Sequence, residues 1–232
     1  MGKDVIIACD FSSGEKMLGF LDNFEDKKPF VKIGMELYYA EGPAIVREIK
    51  SRGHKIFLDL KLHDIPNTIK RAMAVLSGLD VDICNIHAAG TSAMMEAAIE
   101  GLTRPDGSRP LLVAVTQLTS TSEERMKREL LISESLEKTV MHYAINSKRA
   151  GLDGVVCSPL EAHTVHDNCG ADFITVTPGI RFVGDASGDQ VRITTPAQAK
   201  EIGSDYIVVG RPITGAAEPV AAYERCVREF VG

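Results

Sequence analysis

The part of the sequence most suited to chemistry is residues 57–66, F-L-D-L-K-L-H-D-I-P, which places Asp59, Lys61 and Asp64 close together. Apolar and polar residues alternate there as in a β-strand, so Asp59 and Lys61 are expected on one face. A structural ion pair would explain these two alone, since buried charges need partners. Lys32, at the end of the preceding apolar run, adds a fourth charge. Alternating charges at neighbouring strand ends predict a catalytic array of Lys32, Asp59, Lys61 and Asp64.

Such an array suits the removal of a carboxylate group. Neighbouring carboxylates favour a charged lysine, whereas a Schiff-base nucleophile must be neutral, so we expect Lys61 to act as a cation and proton donor. Asp59 would repel a substrate carboxylate, and that repulsion falls as CO2 leaves while the new carbanion gains Lys61 as counter-charge. The ammonium groups of Lys32 and Lys61 would repel a divalent cation, so we expect no metal.

Composition and length restrict the function classes further. The chain has 232 residues, 44% of them hydrophobic, which suits one large α/β domain. Its net charge is −6 and it has no basic run, which argues against nucleic-acid binding. No apolar stretch reaches the ~20 residues of a membrane span, and the apolar run at the N-terminus, which Asp10 interrupts, is too short for a signal peptide. Five widely spaced cysteines indicate buried, reduced thiols in a cytoplasmic protein.

The elements that must position these charges are eight short apolar strands alternating with eight helical stretches. Strands are predicted at 5–9, 30–33, 55–60, 81–87, 111–118, 154–157, 173–176 and 206–209. Strands buried on both faces pair in parallel through helical crossovers, so we predict a single-domain (β/α)8 TIM barrel over residues 1–232. A doubly wound open sheet is the alternative, although the first strand–helix turn lacks G-x-G-x-x-G.

In a barrel, functional residues gather at the carboxyl ends of the strands. Asp10, Lys32, Asp59 and Lys61 would therefore meet at one rim. Gly179, Gly210 and Arg211 follow strands seven and eight, where this fold usually binds phosphate. The polar, glycine-bearing residues 183–191 are typical of a mobile lid.

Two histidines, His63 and His87, also lie close to these strand ends. His87 follows the fourth strand and could act as a general base, but a packed core histidine explains it as well. His63 lies beside Asp64 and could support it without a catalytic role of its own.

Several motifs together resemble a known family. D-L-K-L-H-D-I-P-N-T at 59–68, K-I-G at 32–34, the early Asp10, T-P-G-I-R at 177–181 and V-G-R at 209–211 resemble bacterial-type orotidine 5′-monophosphate decarboxylases. The resemblance spans nearly the whole chain in the same order. It implies decarboxylation of orotidine 5′-monophosphate to UMP, the last step of de novo pyrimidine nucleotide synthesis.

The resemblance also implies a role for each site residue and a cofactor-free homodimer. Lys61 would be the proton donor, and Asp64 and Thr68 would reach into the neighbouring subunit's site. By the same resemblance, Asp10 and Lys32 would bind the ribose hydroxyls, with a contribution from Thr68. Thr119 and Ser120 would contact the pyrimidine. The residues that would hold the phosphate and close the lid are Arg181, Gln190, Gly210 and Arg211.

Two alternatives remain at this point. One is a related barrel enzyme that processes sugar phosphates through a metal-stabilised enediolate, but such enzymes carry an acidic metal ligand where this chain has Lys32. The other is a catalytically silent barrel that binds a phosphorylated ligand as a sensor or scaffold, against which the intact tetrad counts.

Overall fold

Eight parallel strands form a closed barrel in sequence order in the computed structural model, which describes residues 3–25, 27–184 and 193–232. The strands are β1 (Asp4–Ala8), β2 (Phe30–Gly34), β3 (Ile56–Leu62), β4 (Ile83–His87), β5 (Leu111–Val115), β6 (Gly154–Val156), β7 (Ile174–Thr177) and β8 (Tyr206–Val209). The barrel closes because β1 pairs with β8, with Val5 opposite Ile207. This closure confirms the predicted (β/α)8 fold and excludes the alternative of a doubly wound open sheet.

Helices cover the outside of the barrel and form the crossovers that parallel strands require. They are α1 (Gly14–Asp22), α2 (Met35–Glu41), α3 (Pro43–Ser51), α4 (Pro66–Ser77), α5 (Thr91–Leu102), α6 (Glu123–Glu129), α7 (Leu136–Arg149), α8 (Ala162–Cys169), α9 (Pro196–Ile202), α10 (Arg211–Thr214) and α11 (Pro219–Phe230). Helices α2, α6 and α10 are not among the eight helical stretches that the sequence predicts. Ion pairs four residues apart, Glu123–Lys127 among them, support α6 and were visible in the sequence.

The alternation expected along the third strand is what separates the two layers of the core. Phe57 packs inside the barrel with residues such as Phe30 and Tyr206, whereas Ile56 and Leu58 pack outward beneath the helices. Asp59 continues the inward face at the carboxyl end of β3 and is buried. The period-two pattern therefore directs the first charge of the predicted array into the barrel mouth.

Two further sequence expectations concern the cysteines and membrane spans. All five cysteines are free and buried, as predicted. Within the described ranges, no helix combines the length and apolarity that a bilayer crossing demands.

Candidate active site

A cavity of about 680 Å³ opens at the carboxyl ends of the strands. Apolar side chains such as Phe57 and Val208 line it together with polar and charged ones. The predicted site residues that line it are Asp10, Lys32, Asp59, Lys61, Thr119, Ser120, Arg181, Gly210 and Arg211. Asp64 and Thr68 are exposed and are not among the described residues of the lining, and Gln190 lies outside the described residues.

Four of the lining side chains form a continuous row of alternating charge. Lys32 Nζ lies 2.8 Å from Asp10 Oδ1 and 3.3 Å from Asp59 Oδ2. Lys61 Nζ lies 2.6 Å from the other oxygen of Asp59, Oδ1. The row therefore runs Asp10–Lys32–Asp59–Lys61, and each inner charge has an opposite charge on both sides.

The two inner charges are buried, with 10% of the Lys32 side chain and 9% of the Asp59 side chain exposed. Burial acts to lower the pKa of Lys32, but Asp59 and Asp10 together outweigh it, and that pKa lies above its usual value. Burial acts to raise the pKa of Asp59, but Lys32, Lys61 and a hydrogen bond from Asn85 hold it below its usual value. Both groups are charged at neutral pH, so the wall is electrostatically organised before a ligand binds.

Asn85, on β4, is a site residue that the sequence analysis missed. Its Nδ2 donates to Asp59 Oδ1 at 2.6 Å, and its Oδ1 accepts the backbone N–H of Lys61 at 2.8 Å. The available signal was a polar residue inside the apolar strand I-C-N-I-H, because a buried amide needs hydrogen-bond partners. Asn85 thus connects the carboxylate and the lysine through a single side chain.

Gly34 at the end of β2 leaves room for the outer part of the charged row. A Cβ at this position would lie 2.8 Å from Asp10 Oδ1 and 3.3 Å from Lys32 Nζ. Real Cβ atoms do not approach another atom as closely as the first distance. The glycine in K-I-G therefore permits the contact between Asp10 and Lys32.

The ends of β7 and β8 form the part of the cavity where phosphate binding is predicted. Gly179 has a φ of 86°, a left-handed conformation that glycine adopts without strain. Arg181 is buried, and its backbone N–H donates to the Thr194 carbonyl at 2.9 Å, while Thr194 N–H donates to the Gly179 carbonyl at 3.1 Å. These bonds join the chain on either side of residues 185–192. Most of the predicted lid, with Gln190, lies outside the described residues.

The T-S-T-S segment after β5 divides into two parts. The strand ends at Val115 rather than at 118, so Thr119 and Ser120 lie on a loop that lines the cavity. The Ser122 hydroxyl instead accepts the Arg125 N–H at 3.2 Å and caps α6. The structure therefore favours Thr119 and Ser120 over Ser122 as ligand contacts.

Asp64 and Thr68 face outward beyond the end of β3. The Asp64 carboxylate accepts the Ile65 N–H at 2.6 Å, and Thr68 lies in the first turn of α4. Within one chain, the structure therefore brings together three members of the predicted tetrad and leaves Asp64 at the surface.

His87 is half-buried at the end of β4 and is not among the described residues that line the cavity. Burial, with His63 and Lys61 nearby, holds the pKa of His87 below its usual value. Its ring centroid lies 5.8 Å from that of His63. This environment favours the packing interpretation of His87.

Two groups of residues in the cavity lining differ in chemistry. Arg181 and Arg211 lie with two glycine turns after β7 and β8, and such groups bind phosphate oxygens. The row ending in Lys61 lies on the wall formed by β1, β2 and β3. An anionic ligand could place a phosphate against the arginines and a reacting carbon against Lys61.

Comparison with known proteins gives one consistent answer. A family model described as orotidine 5′-phosphate decarboxylase/HUMPS matches residues 3–226. A protein of Geobacillus sp. (strain WCH70) named orotidine 5′-phosphate decarboxylase is 56% identical over 235 residues, which cover 100% of this chain and 98% of that protein.

Two solved structures are also similar to this chain over nearly its full length. Orotidine 5′-phosphate decarboxylase from Lactobacillus acidophilus matches with a TM-score of 0.89 and 42% identity, over 99% of this chain and 100% of the other. An uncharacterized conserved protein from Geobacillus kaustophilus matches with a TM-score of 0.87 and 50% identity, over 97% of this chain and 99% of the other. The chain belongs to the orotidine 5′-phosphate decarboxylase/HUMPS family.

Proposed function

We propose that this protein decarboxylates orotidine 5′-monophosphate to UMP and CO2, the final step of de novo pyrimidine nucleotide synthesis. The observation that carries the proposal is Asp59, held as a buried carboxylate between Lys32 and Lys61 in the cavity wall. A carboxylate in that position disfavours a second carboxylate beside it, and an ammonium beside it favours a carbanion. This is the charge pattern that a decarboxylation without an electron sink requires.

In the proposed mechanism, the bond between C6 of the pyrimidine and its carboxylate breaks, and the electron pair stays on C6. Repulsion between Asp59 and the substrate carboxylate is relieved as neutral CO2 leaves. Lys61 Nζ stabilises the C6 carbanion and donates a proton to it, which gives UMP. Solvent then reprotonates Lys61, so the reaction consumes one proton and releases one CO2.

The same proposal assigns the binding contacts. Asp10 and Lys32 would bind the ribose hydroxyls, and Thr119 and Ser120 the pyrimidine. The phosphate would meet four residues, Arg181, Gln190, Gly210 and Arg211. The Asp10–Lys32 contact and the position of both arginines in the cavity lining support this orientation.

The functional unit would be a cytoplasmic, metal- and cofactor-independent homodimer in which residues 1–232 form one catalytic barrel domain. Asp64 and Thr68 would complete the neighbouring subunit's site, and their exposure beyond the end of β3 supports this arrangement. A two-fold interface at this rim would bring each pair towards the partner.

The test is to follow the absorbance of orotidine 5′-monophosphate with purified protein, with and without a chelator. We expect equal turnover in both conditions. Activity that is lost on chelation and restored by Mg²⁺ would instead support the metal-dependent enediolate chemistry. Absence of turnover with UMP binding retained would support the silent barrel.

A further inference from the structure

Asn85 is a buried amide whose oxygen and nitrogen both bind β3, the strand that carries Asp59 and Lys61. It is 1% exposed, donates to Asp59 Oδ1 at 2.6 Å and accepts from the Lys61 backbone N–H at 2.8 Å. An amide provides a donor and an acceptor on one planar group, which the other short side chains do not. A leucine here would leave both partners without these bonds, and an aspartate would place a second carboxylate against Asp59.

The bond to Lys61 lies at an irregularity in the sheet. Lys61 has a φ of 51°, in the left-handed region that residues with side chains rarely adopt. The pairing of β3 with β4 shifts register between Leu58 and Leu62, and such a bulge interrupts the regular ladder. The side-chain oxygen of Asn85, Oδ1, accepts the backbone N–H of Lys61 at this bulge and so stabilises its conformation.

The second bond of Asn85 restrains the Asp59 carboxylate. Asp59 Oδ1 accepts from both Lys61 Nζ and Asn85 Nδ2, each at 2.6 Å, while Oδ2 faces Lys32 at 3.3 Å. Both oxygens are therefore engaged, which leaves the carboxylate little freedom to rotate. One amide thus constrains the backbone of the lysine and the side chain of the aspartate together.

We propose that Asn85 is a positioning residue that sets the placement of Lys61 Nζ and Asp59 relative to the reacting carbon. The inference rests on the proposed function and goes beyond it, because it assigns the geometry of the charged row to a residue on a different strand. Asn85 does not line the cavity among the described residues, so it would act through Lys61 and Asp59 rather than on the substrate.

The test replaces Asn85 with alanine and separates chemistry from binding. We expect the kcat of Asn85→Ala for orotidine 5′-monophosphate to fall about 10²-fold, as a displacement of about 1 Å can cause. The KM and the Kd for UMP should stay close to the parent values, because neither Asn85 nor its two partners, Asp59 and Lys61, are among the proposed phosphate contacts. Loss of the hydrogen bond should raise the pKa of Asp59, so the acidic limb of the kcat profile should move to higher pH.

The matched control is Thr175→Val, which removes another buried polar group from the barrel. Thr175 is on β7, and its hydroxyl donates to Asp205 Oδ2 at 3.0 Å, away from the described cavity lining. We expect this variant to lower the melting temperature without changing kcat or its pH profile. A structural role alone would make Asn85→Ala behave in the same way.

Several results would overturn the inference. One is a kcat of Asn85→Ala within threefold of the parent, and another is a loss of UMP affinity as large as the loss of kcat. Asn85→Ser and Asn85→Gln are measured alongside, and failure of all three variants to fold would show a structural role only. A parent protein without decarboxylase activity would refute the proposed function, whereas an active parent matched by its Asn85 variants refutes this inference alone.

Discussion

At the scale of single residues, the chemistry proposed for Lys61 depends on how its neighbours hold it. Its ammonium lies 2.6 Å from Asp59, and a quarter of its side chain remains exposed, at 25%. Opposite charges about 4 Å apart are worth about 4 kcal/mol at an effective dielectric of about 20, compared with about 1 kcal/mol in water. The Asp59 carboxylate therefore attracts the Lys61 ammonium strongly, and the exposed part of the lysine can still contact a substrate.

The first prediction is that Lys61→Ala abolishes turnover and spares binding. The change removes the counter-charge and the proton donor together, so we expect kcat to fall far beyond the ~10²–10⁴-fold typical of losing one general acid. The Kd for UMP should change little, because the proposed phosphate and ribose contacts remain. Stopped assays for kcat and titration calorimetry for UMP measure the two quantities.

Lys55→Ala is the matched control for this variant. Lys55 immediately precedes the same strand at the opposite end of the barrel, and its side chain is 61% exposed. Its kcat should equal the parent value. Turnover of Lys61→Ala within tenfold of the parent would show that Lys61 is not the acid.

The second prediction concerns the space that Gly34 leaves for Asp10 and Lys32. Its φ of −89° suits alanine, so Gly34→Ala adds a steric contact without backbone strain. The added Cβ, 2.8 Å from Asp10 Oδ1, should separate Asp10 from Lys32. We expect kcat/KM to fall about 10²-fold, in line with a misplacement of about 1 Å.

Gly19→Ala provides the comparison. Gly19 lies in α1, and a Cβ there would meet no atom within 4 Å. Alanine in a helix interior is favoured over glycine by about 0.5–1 kcal/mol, so this variant should be slightly more stable and equally active. Equal kcat/KM for the two glycine variants would refute the steric explanation.

At the scale of elements, different strand ends contribute different groups to the cavity. β1, β2 and β3 contribute the charged row, whereas the ends of β7 and β8 contribute glycine turns and arginines. In the proposed function, binding energy from phosphate contacts after β7 and β8 can lower the reaction barrier at Lys61 because one rigid sheet joins these strands.

The third prediction tests this division. Arg211→Ala and Gln190→Ala should lower kcat/KM for orotidine 5′-monophosphate with a smaller change in kcat, because they weaken capture of the phosphate. The same variants should match the parent on orotidine, which has no phosphate. Arg47→Ala, at an exposed arginine of α3, is the control and should be silent with both substrates. An equal loss on orotidine would mean that these residues do not recognise phosphate.

At the scale of the whole molecule, the proposed function places the exposed Asp64 in a site shared between two subunits. The fourth prediction mixes two inactive variants, Lys61→Ala and Asp64→Asn, under conditions that let dimers exchange. In a hybrid dimer, one site receives Lys61 from one chain and Asp64 from the other and is intact, while the second site has both defects. We expect recovered activity near a quarter of the parent value, because about half of the dimers are hybrids with one good site of two.

Exchange is verified separately by mass spectrometry of isotopically labelled dimers. The unmixed variants, treated identically, give the background. Exchange without recovered activity would show that Asp64 serves its own subunit.

Much of the fold could be predicted from short-range sequence pattern. The alternation of Phe57, Leu58 and Asp59 predicted which side chains face into the barrel, and the structure confirms it. Helix boundaries are less predictable from the sequence. Both Ser12 and Ser13 stand at capping distance from a following residue, and only the structure shows that Ser13 caps α1. The helix at Met35–Glu41 was missed because it follows β2 without a turn.

The sequence by itself determined that Asp59 and Lys61 are presented together at one strand, since the motif at 59–68 and the alternation along β3 depend on residues adjacent in the chain. Only the tertiary structure decided how those charges are held. Asn85 contacts Asp59 across 26 residues of chain, and Gly34 makes room for Asp10 across 24. Such contacts depend on strand register and barrel closure, which arise from the cooperative packing of the whole chain. A local signal such as a polar residue in an apolar strand therefore does not identify the partner that the residue contacts.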